Sequence, residues 1–463
     1  MEKRHRTVFI CQHCGRESIR WLGRCPDCNG WNTFVETSVG ATDSGRRTHG
    51  NTRATPQKLS LVRSDETPRL TLSLEECNRV LGGGIVPGSL VLIGGDPGIG
   101  KSTLLLQVAA ALAESGRSIV YVSGEESPTQ LKLRADRLGI AGRESLFILP
   151  ETNMDSILAQ LADSNAGMVI VDSIQTVYLD SLDSPPGSVG QIRECAMKLM
   201  QWAKTSNTPV MLSGHVTKDG AIAGPRVLEH IVDAVLYLEG EPFGRYRLLR
   251  SVKNRFGSTN EVGVFEMRNT GLVEVTNPSA TFLSERPSET LGSAVVSTLE
   301  GSRPLLVEIQ ALTTITSFGL PRRTANGVDF NRMLLIIAVL SKRAGLSLGN
   351  QDVMVNVVGG LKISEPAADL GIALAVASSF REVPIDPGLV AIGEVGLSGE
   401  LRAVPNVDRR LAEAAKLGFQ RCLLPKPATG FVPPRDIHVV GVTSLKEALR
   451  EALPKRGAKT AEA

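Results

Sequence analysis

Residues 94–103 read GGDPGIGKST, which sets Gly95, four intervening residues, Gly100, Lys101 and Ser102 in one run. Glycines at this spacing let backbone N–H groups wrap phosphates at a helix N-terminus, the lysine neutralises the terminal phosphates, and the hydroxyl can ligate Mg²⁺. The apolar run SLVLIG precedes the motif and STLLLQVAAALAE follows it, the strand and helix that a phosphate loop needs. Gly95, Asp96, Pro97, Gly98, Ile99, Gly100, Lys101, Ser102 and Thr103 are therefore the candidate ATP-binding residues. Asp172 closes the run GMVIVD, where a carboxylate reaches Mg²⁺ at the carboxyl edge of a sheet, so Ser102 and Asp172 are the candidate magnesium ligands. SGEESPTQ ends another apolar run and offers Glu125 and Glu126 as bases for an attacking water. Glu125 is preferred, and Ser127 with Pro128 reads as a helix N-cap and first turn whichever glutamate is the base. His215 ends PVMLSGH and could sense the terminal phosphate, while Lys218 and Arg226 in the loop beyond could touch a ligand in a central channel.

A second chemistry stands at the amino terminus. Cys11-x-x-Cys14 and Cys25-x-x-Cys28 enclose a ten-residue spacer. Two such turns close a tetrahedron of thiolates about Zn²⁺ with no open position for a catalytic water, so Cys11, Cys14, Cys25 and Cys28 are the candidate zinc ligands of a structural site. Arg16, Arg20 and Arg24 give this arm a basic surface, and residues 1–63 hold 11 Lys+Arg against 5 Asp+Glu, a net +6 in a chain whose total is only +3. A basic arm favours polyanions.

Short Val/Ile/Leu runs at 89–95, 118–124, 168–173, 209–215 and 234–240 alternate with helical patterns near 101–114, 127–139, 153–164 and 188–206. That alternation predicts an α/β fold with a mostly parallel sheet covered on both faces. The chain divides into a four-cysteine finger at 1–36, a basic linker at 37–63, an ATPase domain at 64–276, a polar linker at 277–291, a second α/β domain at 292–455 and a disordered tail at 456–463. Aromatic residues make up 4%, so contact with nucleic acid would rest on charge and backbone more than on base stacking. The opening residues lack a secretory apolar region and no run approaches a bilayer span, which predicts a cytoplasmic protein with no membrane partner.

The four-cysteine knuckle, GGDPGIGKST, YVSGEES, VDSIQT, GHVTKDGAIAGPRVLEHIVDAVLYLEGE and SVKNRFGSTNEVGVFEM together resemble the bacterial RadA (Sms) family over nearly the whole chain. The family consists of RecA-like DNA repair ATPases with a Lon-like carboxyl-terminal domain. The resemblance implies a homohexameric, DNA-stimulated, helicase-like ATPase that uses ATP, Mg²⁺ and Zn²⁺. It also implies binding to single-stranded and branched DNA, and branch migration of intermediates made by the RecA recombinase. KNRFG, residues 253–257, is the family's signature, and it makes Lys253 and Arg255 candidates to act across a subunit interface on ATP or on DNA.

The carboxyl-terminal block resembles Lon-type peptidases in NQDVMVNVVGGLKISEPAADLGIALA and IGEVGLSGELRAVPNVDRRLAEAAKLG. Their chemistry needs a serine after the turn proline and a lysine to deprotonate it. Here Ala367 follows Pro366, the lysine aligns near Asp408, and Ser364 with Lys362 is a displaced pair at best. An assembly platform is the better reading, with Arg322, Arg323 and Arg332 as candidate contacts to DNA phosphates. A Lon-like peptidase and a RecA-type regulatory ATPase without translocation are the alternatives.

Overall fold

The computed structural model describes residues 5–11, 16–26, 30–40, 68–215, 225–240, 244–287, 290–317, 319–426 and 434–453. The chain forms two compact units, 1–242 with 247–274 and 243–246 with 275–463. Cys14, Cys28, Lys218, residues 41–67 and the tail from 454 lie outside the described residues.

The amino-terminal ribbon pairs β1 (His5–Cys11) antiparallel with both β2 (Glu17–Ser18) and β3 (Phe34–Gly40). Pairing continues through Gly40, past the finger boundary expected at residue 36.

The ATPase unit follows with α1 (Glu75–Leu81), β4 (Leu90–Gly95), α2 (Lys101–Glu114), β5 (Ile119–Ser123), α3 (Pro128–Arg137), β6 (Leu146–Leu149) and α4 (Met154–Asp163). It continues with β7 (Met168–Asp172), α5 (Val189–Ser206), β8 (Val210–His215), α6 (Pro225–Ile231), β9 (Ala234–Glu239), β10 (Tyr246–Asn254), β11 (Val262–Arg268) and β12 (Gly271–Glu274). The sheet order is β12-β11-β10-β9-β4-β8-β7-β5-β6, and β9 through β6 are mutually parallel. β10 turns antiparallel to β9, an extension that the alternation of runs does not reveal.

Period-two alternation explains both cores. Val91 and Ile93 of β4 and Met168 and Ile170 of β7 join α2 on one face, while Leu90, Leu92, Val169 and Val171 join α5 on the other. With helices on both faces, the carboxyl ends of the strands meet at one edge, where Gly95 lies beside His215 and Ser123 beside Asp172. Loops that bind nucleotides belong at that edge.

The second unit holds α7 (Pro278–Leu283), β13 (Ser293–Glu300), β14 (Arg303–Ile315), β15 (Arg323–Asn326), α8 (Phe330–Arg343), β16 (Gln351–Val357) and α9 (Asp369–Arg381). Next come β17 (Leu389–Ala391), β18 (Glu394–Val395), β19 (Leu401–Arg402), α10 (Val407–Lys416), β20 (Arg421–Pro425), β21 (His438–Val442) and α11 (Leu445–Ala452). Its mixed sheet runs β15-β16-β14-β13-β17-β20-β21. The polar stretch expected as a linker at 277–291 instead contains α7. Asn277 caps that helix, Pro278, Ser279 and Phe282 are buried, and Ser279 Oγ donates to Glu413 and accepts from the Leu306 N–H. Polar composition misled here because the serine hydroxyl is buried and bonded. Among the described residues no helix is long and apolar enough to cross a membrane.

Candidate nucleotide site

β4 delivers the phosphate loop. Gly95 (φ +149°) could not carry a side chain, since a Cβ there would lie 2.5 Å from the Leu238 carbonyl oxygen of β9. Gly100 (φ +116°) is constrained by its left-handed backbone, whereas the nearest atom to a Cβ there, Met267 Cε of β11 at 2.7 Å, is the movable end of a side chain. These close approaches let the loop fold back and present the first N–H groups of α2, whose N-cap supplies no side-chain acceptor. The resulting cavity of about 250 Å³ is lined by Gly98, Gly100, Lys101, Ser102, Thr103, Ser123, Glu125, Glu126, Arg134, Asp172 and Ser213. Asp96, Pro97 and Ile99 belong to the loop's backbone path.

Lys101 Nζ donates to the carbonyls of Gly95 (2.9 Å) and Asp96 (3.0 Å), so the ammonium is held inside the loop at the cavity. Burial pushes its pKa below the ordinary lysine value, while Asp172, Glu125 and Asp96 act in the opposite direction. Asp172 is oriented from two sides, accepting from Tyr121 of β5 at 2.6 Å and from Ser213 of β8. Glu125 accepts from Ser173 Oγ at 2.5 Å. Glu126 instead pairs with Arg134 of α3. Tyr121, Ser123, Ser213, Ser173 and Arg134 all escape sequence reasoning. Their signals are ordinary polar residues in buried runs or on a helix, and only the fold brings them to this edge.

Arg247 of β10 supports the loop from behind, its Nε donating to the Ile99 carbonyl at 3.2 Å. His215 falls beside Gly95 by strand register, and the side chains of His215 and Arg226 lie outside what is described.

Lys253 and Arg255 occur elsewhere. Asn254 pairs with Ala234 and Val91 with the same Ala234, so KNRFG lies at the amino-terminal edge of the sheet, opposite the phosphate loop. The β4 strand between the two edges spans roughly 13 Å at the rise of a β-strand, too far for these side chains to serve their own chain's cavity. Lys253 Nζ donates to the carbonyls of Glu229 (2.5 Å) and Val232 (2.9 Å) at the end of α6, and Arg255 pairs with the buried Asp233 at 3.1 Å. Burial lowers the Lys253 pKa, with Arg255 adding to the effect.

In the ribbon, Cys11 and Cys25 are fully buried, and each donates its N–H to the carbonyl five residues on, Arg16 and Gly30, at 2.9 Å. The matching backbone bonds set Cys11 and Cys25 in equivalent, buried positions, and a thiolate at each suits one half of a tetrahedral Zn²⁺ site, while Cys14 and Cys28 lie outside the described residues. Treatment with a strong chelator is expected to release one zinc per chain, measured by a colorimetric dye. Freshly purified protein without zinc would refute the assignment.

In the carboxyl-terminal unit the candidate cations have partners within the chain. Arg332 binds Asp369 through a two-pronged contact and also reaches Glu394 at 3.3 Å, and Asp369 holds the guanidinium pKa above its ordinary value. Arg323 donates to the carbonyls of Arg322, Leu348 and Gln351. These contacts tie α8 and β15 to their neighbours, and Arg322 is exposed. Asp408 is exposed, and the cation that reaches the turn before Ala367 is Arg410, two residues on in α10. Lys362 and Ser364 are both exposed, and among the described residues no hydrogen bond joins them.

Comparison with known proteins places this geometry in a family. The chain is 54% identical to the DNA repair protein RadA of Bacillus subtilis, over 97% of this chain and 99% of that one. The chain belongs to the RadA family. The RadA protein of Listeria monocytogenes is 51% identical, over 98% of this chain and 100% of its own. Family models described as an AAA domain, a rubredoxin metal binding domain and subunit ChlI of Mg-chelatase match residues 55–221, 9–36 and 308–428. A solved KaiC-like protein from Pyrococcus horikoshii is 22% identical with a TM-score of 0.39, over 45% of this chain and 99% of that one. As a RadA family member the chain combines a zinc ribbon, a RecA-like ATPase core and a Lon-like carboxyl-terminal domain, and its cofactors are ATP, Mg²⁺ and zinc.

Proposed function

We propose that this RecA-like repair ATPase is a DNA-stimulated ring motor that binds single-stranded and branched DNA and promotes branch migration of RecA-mediated strand exchange. The observation that carries the proposal is the placement of Lys253 and Arg255 at the sheet edge opposite their own phosphate loop. In this reading the two cations exchange their contacts with the Glu229 and Val232 carbonyls and with Asp233 for a neighbour's nucleotide or DNA, and a homohexameric ring supplies that neighbour.

In the cavity, N–H groups of the loop and of α2 receive the phosphates, and Lys101 leaves the Gly95 and Asp96 carbonyls to neutralise the terminal ones. Ser102 and Asp172 would hold Mg²⁺, which would offset charge on the phosphate oxygens. Tyr121 and Ser213 keep Asp172 aimed at the cavity. Glu125 orients the attacking water and accepts its proton, while Ser173 fixes the carboxylate.

The Lon-like domain acts as a platform for assembly and has no peptidase activity. Ala367 is fully buried and carries no nucleophile. Arg322 and the basic amino-terminal arm remain candidate DNA contacts, with Lys218 and Arg226 as further ones.

The test is ATP hydrolysis with and without single-stranded DNA, together with unwinding of a forked duplex. Wild type is expected to show DNA stimulation and unwinding. Lys253→Ala is expected to keep nucleotide binding and lose unwinding by about tenfold or more. Hydrolysis indifferent to DNA, without unwinding, would instead support the regulatory reading.

A further inference from the structure

Arg134 enters the nucleotide cavity from α3, a helix held on one side by buried Leu131 and Ala135 and at its start by the Ser127–Gln130 capping box. Its guanidinium rests on Glu126 Oε1, yet Glu126 Oε2 is buried with no hydrogen-bond partner. An arginine placed purely to stabilise this carboxylate would meet both oxygens with its fork. A buried acceptor left unsatisfied carries its full desolvation penalty, so the pair is incomplete as a structural device. Both partners also line the cavity beside Lys101 and Asp172.

We propose that Arg134 is a terminal-phosphate contact supplied by the chain itself, and that Glu126 holds it aside until a nucleoside triphosphate enters. The two adjacent glutamates then divide the work: Glu125, bonded to Ser173, faces the water, and Glu126 serves Arg134. A terminal phosphate offers the guanidinium several charged oxygens where Glu126 engages it through Oε1 alone, so triphosphate and carboxylate compete for the same fork. After hydrolysis and phosphate release that competition ends, and Arg134 returns to Glu126. The device makes the site sensitive to the third phosphate and indifferent to the first two. This inference rests on the nucleotide reading of the cavity given above.

The experiment compares binding of ADP and of ADP with beryllium fluoride, a terminal-phosphate mimic, by full-length wild type, Arg134→Gln and Glu126→Gln, with steady-state hydrolysis alongside. Arg134→Gln is expected to bind ADP within about threefold of wild type, to bind the mimic at least tenfold more weakly, and to lower kcat about 100-fold. Glu126→Gln, which frees the arginine, is expected to tighten the mimic several-fold. Opposite signs are the signature, because loss of a merely structural ion pair would move both variants the same way. Equal weakening in both would overturn the proposal, as would a Glu126→Gln enzyme whose hydrolysis falls as far as that of Glu125→Gln. Should Arg134→Gln fail to fold, the sign of the Glu126→Gln shift still decides. Lys101→Ala separates this inference from its foundation: normal hydrolysis there would refute the site itself, whereas a dead Lys101→Ala beside an unaffected Arg134→Gln would refute only the role of Arg134.

Discussion

Replacing Lys101 with alanine is expected to lower kcat for ATP hydrolysis on the order of 10³-fold, measured as phosphate release at saturating ATP. The ammonium is buried in the loop at 2.9 and 3.0 Å from two carbonyls, and no side chain of the cavity replaces it at that position. Its environment already opposes the charge through desolvation and retains it through Asp172, Glu125 and Asp96. A phosphate entering the loop meets a partly desolvated cation, and removing it withdraws stabilisation where charge develops. The fold should survive, because the lost bonds are to backbone carbonyls next to an open cavity. Unfolding midpoints within a few degrees of wild type would confirm that the loss is chemical. Hydrolysis within tenfold of wild type would refute the assignment of this lysine.

The largest effect on stability is expected at Arg410. Its side chain is 0% exposed and reaches Glu365, the Ser297 carbonyl at 2.6 Å and the Pro405 carbonyl at 3.1 Å. Glu365 in turn accepts from the Leu299 N–H at 2.8 Å and from Thr298 at 3.3 Å, so the pair joins α10, β13 and the turn before Ala367. Arg410→Met leaves the Glu365 carboxylate without its cation and two carbonyls without donors. The expected loss is about 3–5 kcal/mol, seen as a fall of roughly 10 °C in the transition of the carboxyl-terminal unit. Adding Glu365→Leu should recover only part of it, because it removes the uncompensated carboxylate but leaves the Ser297 and Pro405 carbonyls without donors and the Leu299 N–H without its acceptor. An unchanged midpoint in Arg410→Met would show that the pair does not anchor the unit. Where a peptidase would need a nucleophile and its base, this chain has a buried methyl and a buried ion pair nearby.

How much of this was legible beforehand depends on the range of the interaction. The phosphate loop, Asp172, the glutamate pair, the cysteine spacing and the strands and helices expected up to residue 240 are local patterns, and strand β4 and helix α2 fall within a residue of where periodicity puts them. Local patterns also identified Ala367 as a position without a nucleophile. They failed where a partner is distant in the chain. Tyr121 and Ser213 meet Asp172 across 51 and 41 residues, and Arg247 meets Ile99 across 148.

The basic stretch around α8 shows the same limit from the other side. Its charge is plain in the sequence, but only the packing of α8 on α9 assigns Arg332 to Asp369. Likewise the resemblance to Lon-type peptidases puts the lysine position near Asp408, and the helical turn of α10 points Arg410 inward and Asp408 out. The sequence by itself determined the chemistry available to this protein, because spacing within a strand, a turn or a helix is set by backbone geometry. The tertiary structure alone decided which charges are spent inside the fold and which face a ligand, because that choice depends on which distant side chain reaches them first.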